Sequence, residues 1–168
     1  SVRVAVVGTG RMGSAMVGRL VGAGHDVSVF NRTTPRAAAL AEEYGIAVAP
    51  TAREAASAAD VVVVSLADDA AVRAAYLGAD GLVAGLRAGT VVADTSTVDP
   101  ATIRALGDDV ARVGATLIDT PVSGSVSSVK TAASLYAPML SGTQAPRLGG
   151  ESYAAVRRES IASRSSWF

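Results

Sequence analysis

Cysteine is absent from the 168 residues. That excludes disulfides, thiolate metal sites and cysteine nucleophiles, and it fits a cytoplasmic location. Histidine occurs once, at His25, and lysine once, at Lys130, so no metal site is expected and proton-shuttling side chains are few. Aromatic residues make up only 4% of the chain. Ala, Val and Gly fill the apolar positions instead, which suits helices lying close on a sheet. Neither sign of charge is in excess, and a formal net charge of zero gives no support for a nucleic-acid partner or a membrane surface. No apolar run reaches the roughly 18 residues that span a bilayer. The longest, around Val61 to Ala67, has the length of a strand. No leader is expected, because Val2 already begins a strand.

What is present is a chain 49% hydrophobic, long enough for one domain with a core and too short for two ordinary ones. Strand-like runs alternate with helical patterns. Val2 to Val7, Val27 to Phe30, Ile46 to Val48, Val61 to Leu66, Thr90 to Ala93 and Thr116 to Ile118 read as strands. Helices are expected over Arg11 to Ala23, then from Thr34 as cap with Pro35 at the first position and Gly45 past the end. Further helices are expected after Thr51, from Asp68 or Asp69, and from Asp99-Pro100 to about Val113. This alternation implies a doubly wound α/β fold, a parallel sheet with right-handed crossovers of the Rossmann kind. The domain is placed at 1–130. Residues 131–168 read as a divergent tail, an incomplete end of the domain and partly disordered. Serine is common there, four arginines appear, and only Glu151 and Glu159 are acidic. Within it a strand near Ser134 to Tyr136 and a helix near Tyr153 to Ile161 are the candidate elements.

Gly8-Thr9-Gly10-Arg11-Met12-Gly13 is a G-x-G-x-x-G that leaves a strand and opens a helix, the context in which the pattern binds a dinucleotide. Gly8 permits the tight turn, Gly10 lets a pyrophosphate reach the backbone, and Gly13 lets helix and sheet approach. Free N–H groups at the helix start and the helix dipole attract the anion, and Arg11 is placed to neutralise phosphate. The competing reading is a glycine-rich turn that holds nothing.

The end of the second strand selects the nucleotide. NAD sites place an acid there for the ribose 2′-OH. Here the residues are Asn31, Arg32 and Thr33. Asn31 does not repel a 2′-phosphate, Arg32 offers planar donors that match one and can stack on adenine, and Thr33 adds a hydroxyl. The expected cofactor is therefore NADP. Against this stands Arg32 as a solvated turn residue, with Thr33 as part of a helix cap.

Together with Val6-Val7 and the following Gly24-His25-Asp26-Val27, the glycine loop is one of four stretches that resemble the 3-hydroxyisobutyrate dehydrogenase family of β-hydroxyacid dehydrogenases. The others are Asn31-Arg32-Thr33, similar to the NADPH-preferring semialdehyde reductases, Asp94-Thr95-Ser96-Thr97-Val98-Asp99-Pro100, and Asp119-Thr120-Pro121-Val122-Ser123-Gly124. The resemblance covers about residues 1–130, the cofactor domain of the 6-phosphogluconate dehydrogenase kind. Imine reductases are more distant relatives.

The resemblance implies hydride transfer between NADP(H) and a small carboxylated alcohol or aldehyde. It puts Leu66 and Ala67, within Ser65 to Asp68, along the cofactor. It puts Ser96 beside nicotinamide and substrate, and Ser123 and Gly124 on the substrate carboxylate. A plain cap for Ser96 and a plain turn for Ser123-Gly124 are the alternatives. His25 precedes the second strand at the far end of the sheet and reads as structural. Asp94, at a strand end, is a weak acid/base candidate.

Family members continue into an all-helical domain through a long helix that carries a catalytic lysine and, four residues later, an asparagine. Lys130 falls too early to match, and no asparagine follows Asn31. Ser125 also stands where the family usually has a second glycine. The expectation is a chain that lacks the C-terminal helical domain, a truncated or frame-shifted dehydrogenase that binds NADP(H) and is inactive alone. The alternative is a non-catalytic NADP-binding interaction module. An apolar face left uncovered near the tail implies self-association.

Overall fold

The computed structural model describes residues 1–120. Six strands form one sheet: β1 Arg3–Val7, β2 Asp26–Phe30, β3 Ala47–Val48, β4 Val61–Val64, β5 Val91–Asp94 and β6 Thr116–Asp119. They lie in the order β3-β2-β1-β4-β5-β6, and every neighbouring pair is parallel. The order reverses between β1 and β4, and the crevice at the carboxyl ends of these two strands is where such sheets take ligands.

Six helices connect the strands: α1 Arg11–Gly22, α2 Thr34–Tyr44, α3 Ala52–Ala58, α4 Asp69–Tyr76, α5 Leu82–Gly85 and α6 Pro100–Arg112. They divide between the two faces, and the strand residues divide with them at period two. Val4, Val6, Val61 and Val63 pack with Met16, Val17 and Leu20 of α1 and Leu40 of α2. Ala5, Val7, Val62 and Val64 pack on the other face with alanines of α3, Tyr76 of α4, Leu82 of α5 and Leu106 of α6. All four residues of β4 are buried, which explains its unbroken valine run. With so few aromatics, Ala37, Ala41, Ala52, Ala55 and Ala56 let the helices sit low on the sheet.

The doubly wound reading holds, with local corrections. Thr33, not Thr34, is the residue before α2, and its side chain makes no capping bond; Pro35 still lies in the first turn. The fourth strand ends at Val64 and not Leu66, because the chain turns away after the Ser65 N–H bonds to the Val7 carbonyl. The third strand begins at Ala47, and the fifth runs one residue later at each end than expected. The first helix stops at Gly22. Thr51 caps α3 through the Glu54 N–H, and Asp99 caps α6 through the Ala101 N–H, as read. The short α5 was not foreseen. The strand near Ser134 and the helix near Tyr153 lie outside the described residues.

Candidate functional site

The glycine loop turns out of β1 at the switch point. Gly8 has φ of +98°, a region costly for any other residue, and its N–H donates to the Phe30 carbonyl at 2.9 Å. A Cβ on Gly13 would stand well under 3.0 Å from the Gly8 carbonyl oxygen. The loop can therefore close onto the helix only with glycine at this position. Gly10 is different. It is exposed, and a Cβ there would meet nothing within 4 Å. Space is kept open above its backbone.

Gly10 is also the N-cap of α1 and supplies no side-chain acceptor, and the first turn contains no acid. The first amides of a twelve-residue helix thus lack a side-chain cap. Next to them the Thr9 hydroxyl is buried and finds no partner among the described residues, while Thr9 itself is 6% exposed. Uncapped amides, an unpartnered hydroxyl and open space over Gly10 fit a bound diphosphate. Arg11 is exposed at the same mouth.

Asn31 ties this loop to the end of β2. Its Oδ1 accepts from the Thr9 N–H at 3.1 Å, and its Nδ2 donates to the Thr33 carbonyl at 3.0 Å. The side chain is thus committed to holding the two loops together, a role the sequence did not reveal. Arg32 and Thr33 are exposed beside it. Ser14 adds a second brace, its hydroxyl donating to the Thr9 carbonyl. A shallow hollow of about 190 Å³ lies next to this region, lined by Phe30, Thr51, Ala52, Ala75 and Leu77 among others.

Behind the loop after β4, polar groups are buried in a chain. Leu66 and Ala67 follow Ser65 out of the strand; Leu66 is half-buried and Ala67 exposed. The Leu66 N–H donates to Ser96 Oγ at 2.9 Å. The Ser96 N–H donates to Asp94 Oδ1 at 2.8 Å, and the Tyr76 hydroxyl donates to Asp94 Oδ2 at 2.7 Å. Burial pushes the Asp94 carboxyl up from its ordinary value, against the bonds from Tyr76 and Ser96 that draw it down. Burial likewise raises the Tyr76 hydroxyl, and raises Asp119, which also faces the Asp94 charge. Asp94 is fully buried, so it offers no surface to a substrate. Ser96 is 5% exposed, with its hydroxyl accepting from Leu66.

A second polar set braces α4 on α6. The Thr102 hydroxyl donates to Asp69 Oδ2 at 2.8 Å and accepts from Arg73, while the Asp99 N–H donates to Asp69 Oδ1 at 3.1 Å. The Thr102 bond, then the Asp99 bond, hold the Asp69 carboxyl below its ordinary value. Its contribution to stability is therefore present above the ordinary carboxylate range and is lost as pH falls through the lowered value. Thr102→Val is expected to move the Asp69 titration upward, read by carboxyl-carbon NMR; an unmoved midpoint would dismiss the bond as the cause.

His25 lies before β2, at the end of the sheet away from the glycine loop. Ser123, Gly124 and Lys130 lie outside the described residues. The structure thus gathers Gly8 to Gly13, Asn31 to Thr33, Leu66, Ala67 and Ser96 at the carboxyl edge of β1, β2, β4 and β5. Among the described residues no helix is long and apolar enough to cross a membrane.

Residues 3–146 match the family model of the NAD-binding domain of 6-phosphogluconate dehydrogenase. The 3-hydroxyisobutyrate dehydrogenase of Pseudomonas aeruginosa is 37% identical over 127 residues, 76% of this chain and 42% of its own. The Mycobacterium tuberculosis 3-hydroxyisobutyrate dehydrogenase, solved with L-serine, is 37% identical with a TM-score of 0.68 over 75% of this chain and 42% of that one. Psf3, solved with NADP+ and 2-OPP, is 34% identical with a TM-score of 0.71 over 82% of this chain and 52% of that one. The chain spans about half the length of curated relatives such as the Pseudomonas aeruginosa enzyme and an oxidoreductase of Shewanella frigidimarina, 42% and 48% of their lengths.

Proposed function

The chain belongs to the dehydrogenase family that shares the NAD-binding domain of 6-phosphogluconate dehydrogenase and includes 3-hydroxyisobutyrate dehydrogenase, and on that premise we propose that it binds NADP(H) in preference to NAD(H). The observation that carries this reading is the end of β2. Asn31 is spent on bridging Thr9 and Thr33, so no carboxylate guards the ribose, and Arg32 stands exposed beside it. A guanidinium there is matched to a 2′-phosphate. The NADP+ complex of Psf3 supports the same choice.

In this reading the uncapped amides of α1 and the Thr9 hydroxyl hold the diphosphate. Arg11 screens its charge, and Leu66 and Ala67 lie along the dinucleotide. The bound nicotinamide supplies hydride chemistry, and the chain supplies binding and orientation. The reaction served is hydride transfer to or from a small β-hydroxyacid or semialdehyde, with Ser96, Ser123 and Gly124 as the substrate contacts. Among the described residues no lysine is present, His25 is at the wrong end of the sheet, and Asp94 is buried. The 168-residue chain alone is therefore expected to bind the nucleotide without appreciable turnover of glyoxylate or succinic semialdehyde.

Calorimetry of Arg32→Ala tests the cofactor choice. Loss of the guanidinium is expected to weaken NADPH binding about tenfold, some 1.4 kcal/mol, and to leave NADH binding nearly unchanged. Equal losses for the two nucleotides would reject the 2′-phosphate role.

A further inference from the structure

At the carboxyl edge of β4, β5 and β6, the first residues past each strand are tied to one residue. Asp94 ends β5. Its side chain holds the Ser96 N–H, and through the Ser96 hydroxyl the bond passes to the Leu66 N–H in the loop after β4. Its carbonyl accepts from the Thr120 N–H at 2.8 Å and the Thr120 hydroxyl at 3.2 Å, in the first residue after β6. The remaining carboxylate oxygen is held by Tyr76, itself fully buried at the end of α4. Thr95 adds a clamp in the same place, its N–H and its hydroxyl both reaching the Val64 carbonyl at 2.8 Å.

Burying a carboxylate is costly, and a fold that needed only packing here would do better with an apolar residue of similar size. Asp94 stands where one side chain and one carbonyl hold Ser96, Tyr76 and Thr120 in fixed relation. We propose that Asp94, oriented by Tyr76, is the positioning residue that sets Leu66, Ser96 and Thr120 at the spacing the bound nucleotide requires. It acts through Ser96 and Leu66 and touches no ligand itself. The titratable groups that face it are Tyr76 from α4 and Asp119 from β6. The proposal rests on the nucleotide-binding reading, and its test separates the two.

The test compares Asp94→Ala, Asp94→Asn, Asp94→Leu, Ser96→Ala and Tyr76→Phe in the full chain, with NADPH affinity from calorimetry and amide hydrogen exchange at Leu66 from NMR. An asparagine can accept from the Ser96 N–H through its carbonyl oxygen and face the Tyr76 oxygen with its amide. Asp94→Ala is expected to speed exchange at Leu66 and to weaken NADPH binding, each about tenfold. Asp94→Asn is expected to restore both. Asp94→Leu, which fills the space without an acceptor for the Ser96 N–H, is expected to restore neither. Recovery in the leucine variant would reduce the residue to packing and overturn the proposal. Should Asp94→Ala fail to fold, Ser96→Ala carries the test through exchange at Leu66, whose N–H loses its acceptor. Tyr76→Phe, which frees the Asp94 carboxylate without touching any proposed ligand contact, carries it through NADPH affinity. Unchanged exchange at Leu66 in the alanine variants overturns the proposal. So does unchanged NADPH affinity beside accelerated exchange. If the unaltered chain binds no NADPH, the cofactor reading fails, and the proposal, which requires a bound nucleotide, falls with it even where exchange responds.

Discussion

Gly13→Ala is expected to cost about 3 kcal/mol of stability, the upper end of what ordinary single substitutions do. The added methyl would fall on the Gly8 carbonyl oxygen. That carbonyl cannot swing aside cheaply. Gly8 follows β1 directly, its N–H is bonded to Phe30, and its positive φ is already a special conformation. Relief must come from moving the start of α1 off the sheet, and Met16, Val17 and Leu20 are buried along that contact. Urea unfolding followed by circular dichroism measures the loss. A midpoint equal to that of the unaltered chain would mean that α1 does not depend on this close approach.

Gly10→Val is expected to leave the fold nearly intact and to weaken nucleotide binding at least about a hundredfold, near 2.8 kcal/mol. The backbone at Gly10 has φ −68° and ψ −172°, which valine adopts readily, and no atom lies within 4 Å of the position a Cβ would take. Loss of a glycine cap costs about 1 kcal/mol or less. The new side chain would instead fill the space that a diphosphate needs over the helix start. Unfolding and NADPH calorimetry on the same sample read both effects. Full affinity in a folded Gly10→Val chain would show that no anion approaches here. The two substitutions thus divide one motif into a glycine required by the fold and a glycine required by the ligand.

The turn at Gly8 and the close approach at Gly13 were already visible in the sequence, because both work through local geometry within six residues. The valine run of β4 was equally plain, since a strand buried on both faces needs no alternation. The buried chain from Tyr76 through Asp94 and Ser96 to Leu66 was not. The Ser96 bond to Asp94 is local. But Tyr76 lies 18 residues from Asp94 and Leu66 lies 30 from Ser96, and only the packing of α4 and the register of β4 on β5 bring them together. Asp94 at a strand end looks like a candidate acid from sequence, and its burial is a tertiary fact. Asn31 was read for what it does not do, repel a phosphate. Its bonds to Thr9 and Thr33 depend on how β1 and β2 lie side by side. The α5 helix went unread because Leu82–Gly85 is too short to show a period. Thr33 and Thr34 are both acceptable caps, and sequence does not separate neighbours of the same type.

A nitrogen-15 NMR titration of the full chain with NADP+ tests nucleotide binding at the glycine loop most directly. The amides of Thr9 to Gly13 are expected to shift and saturate together, with the Arg32 signals following and those of His25, at the other end of the sheet, staying still. Amides in the glycine loop that remain unmoved at millimolar NADP+ would contradict it.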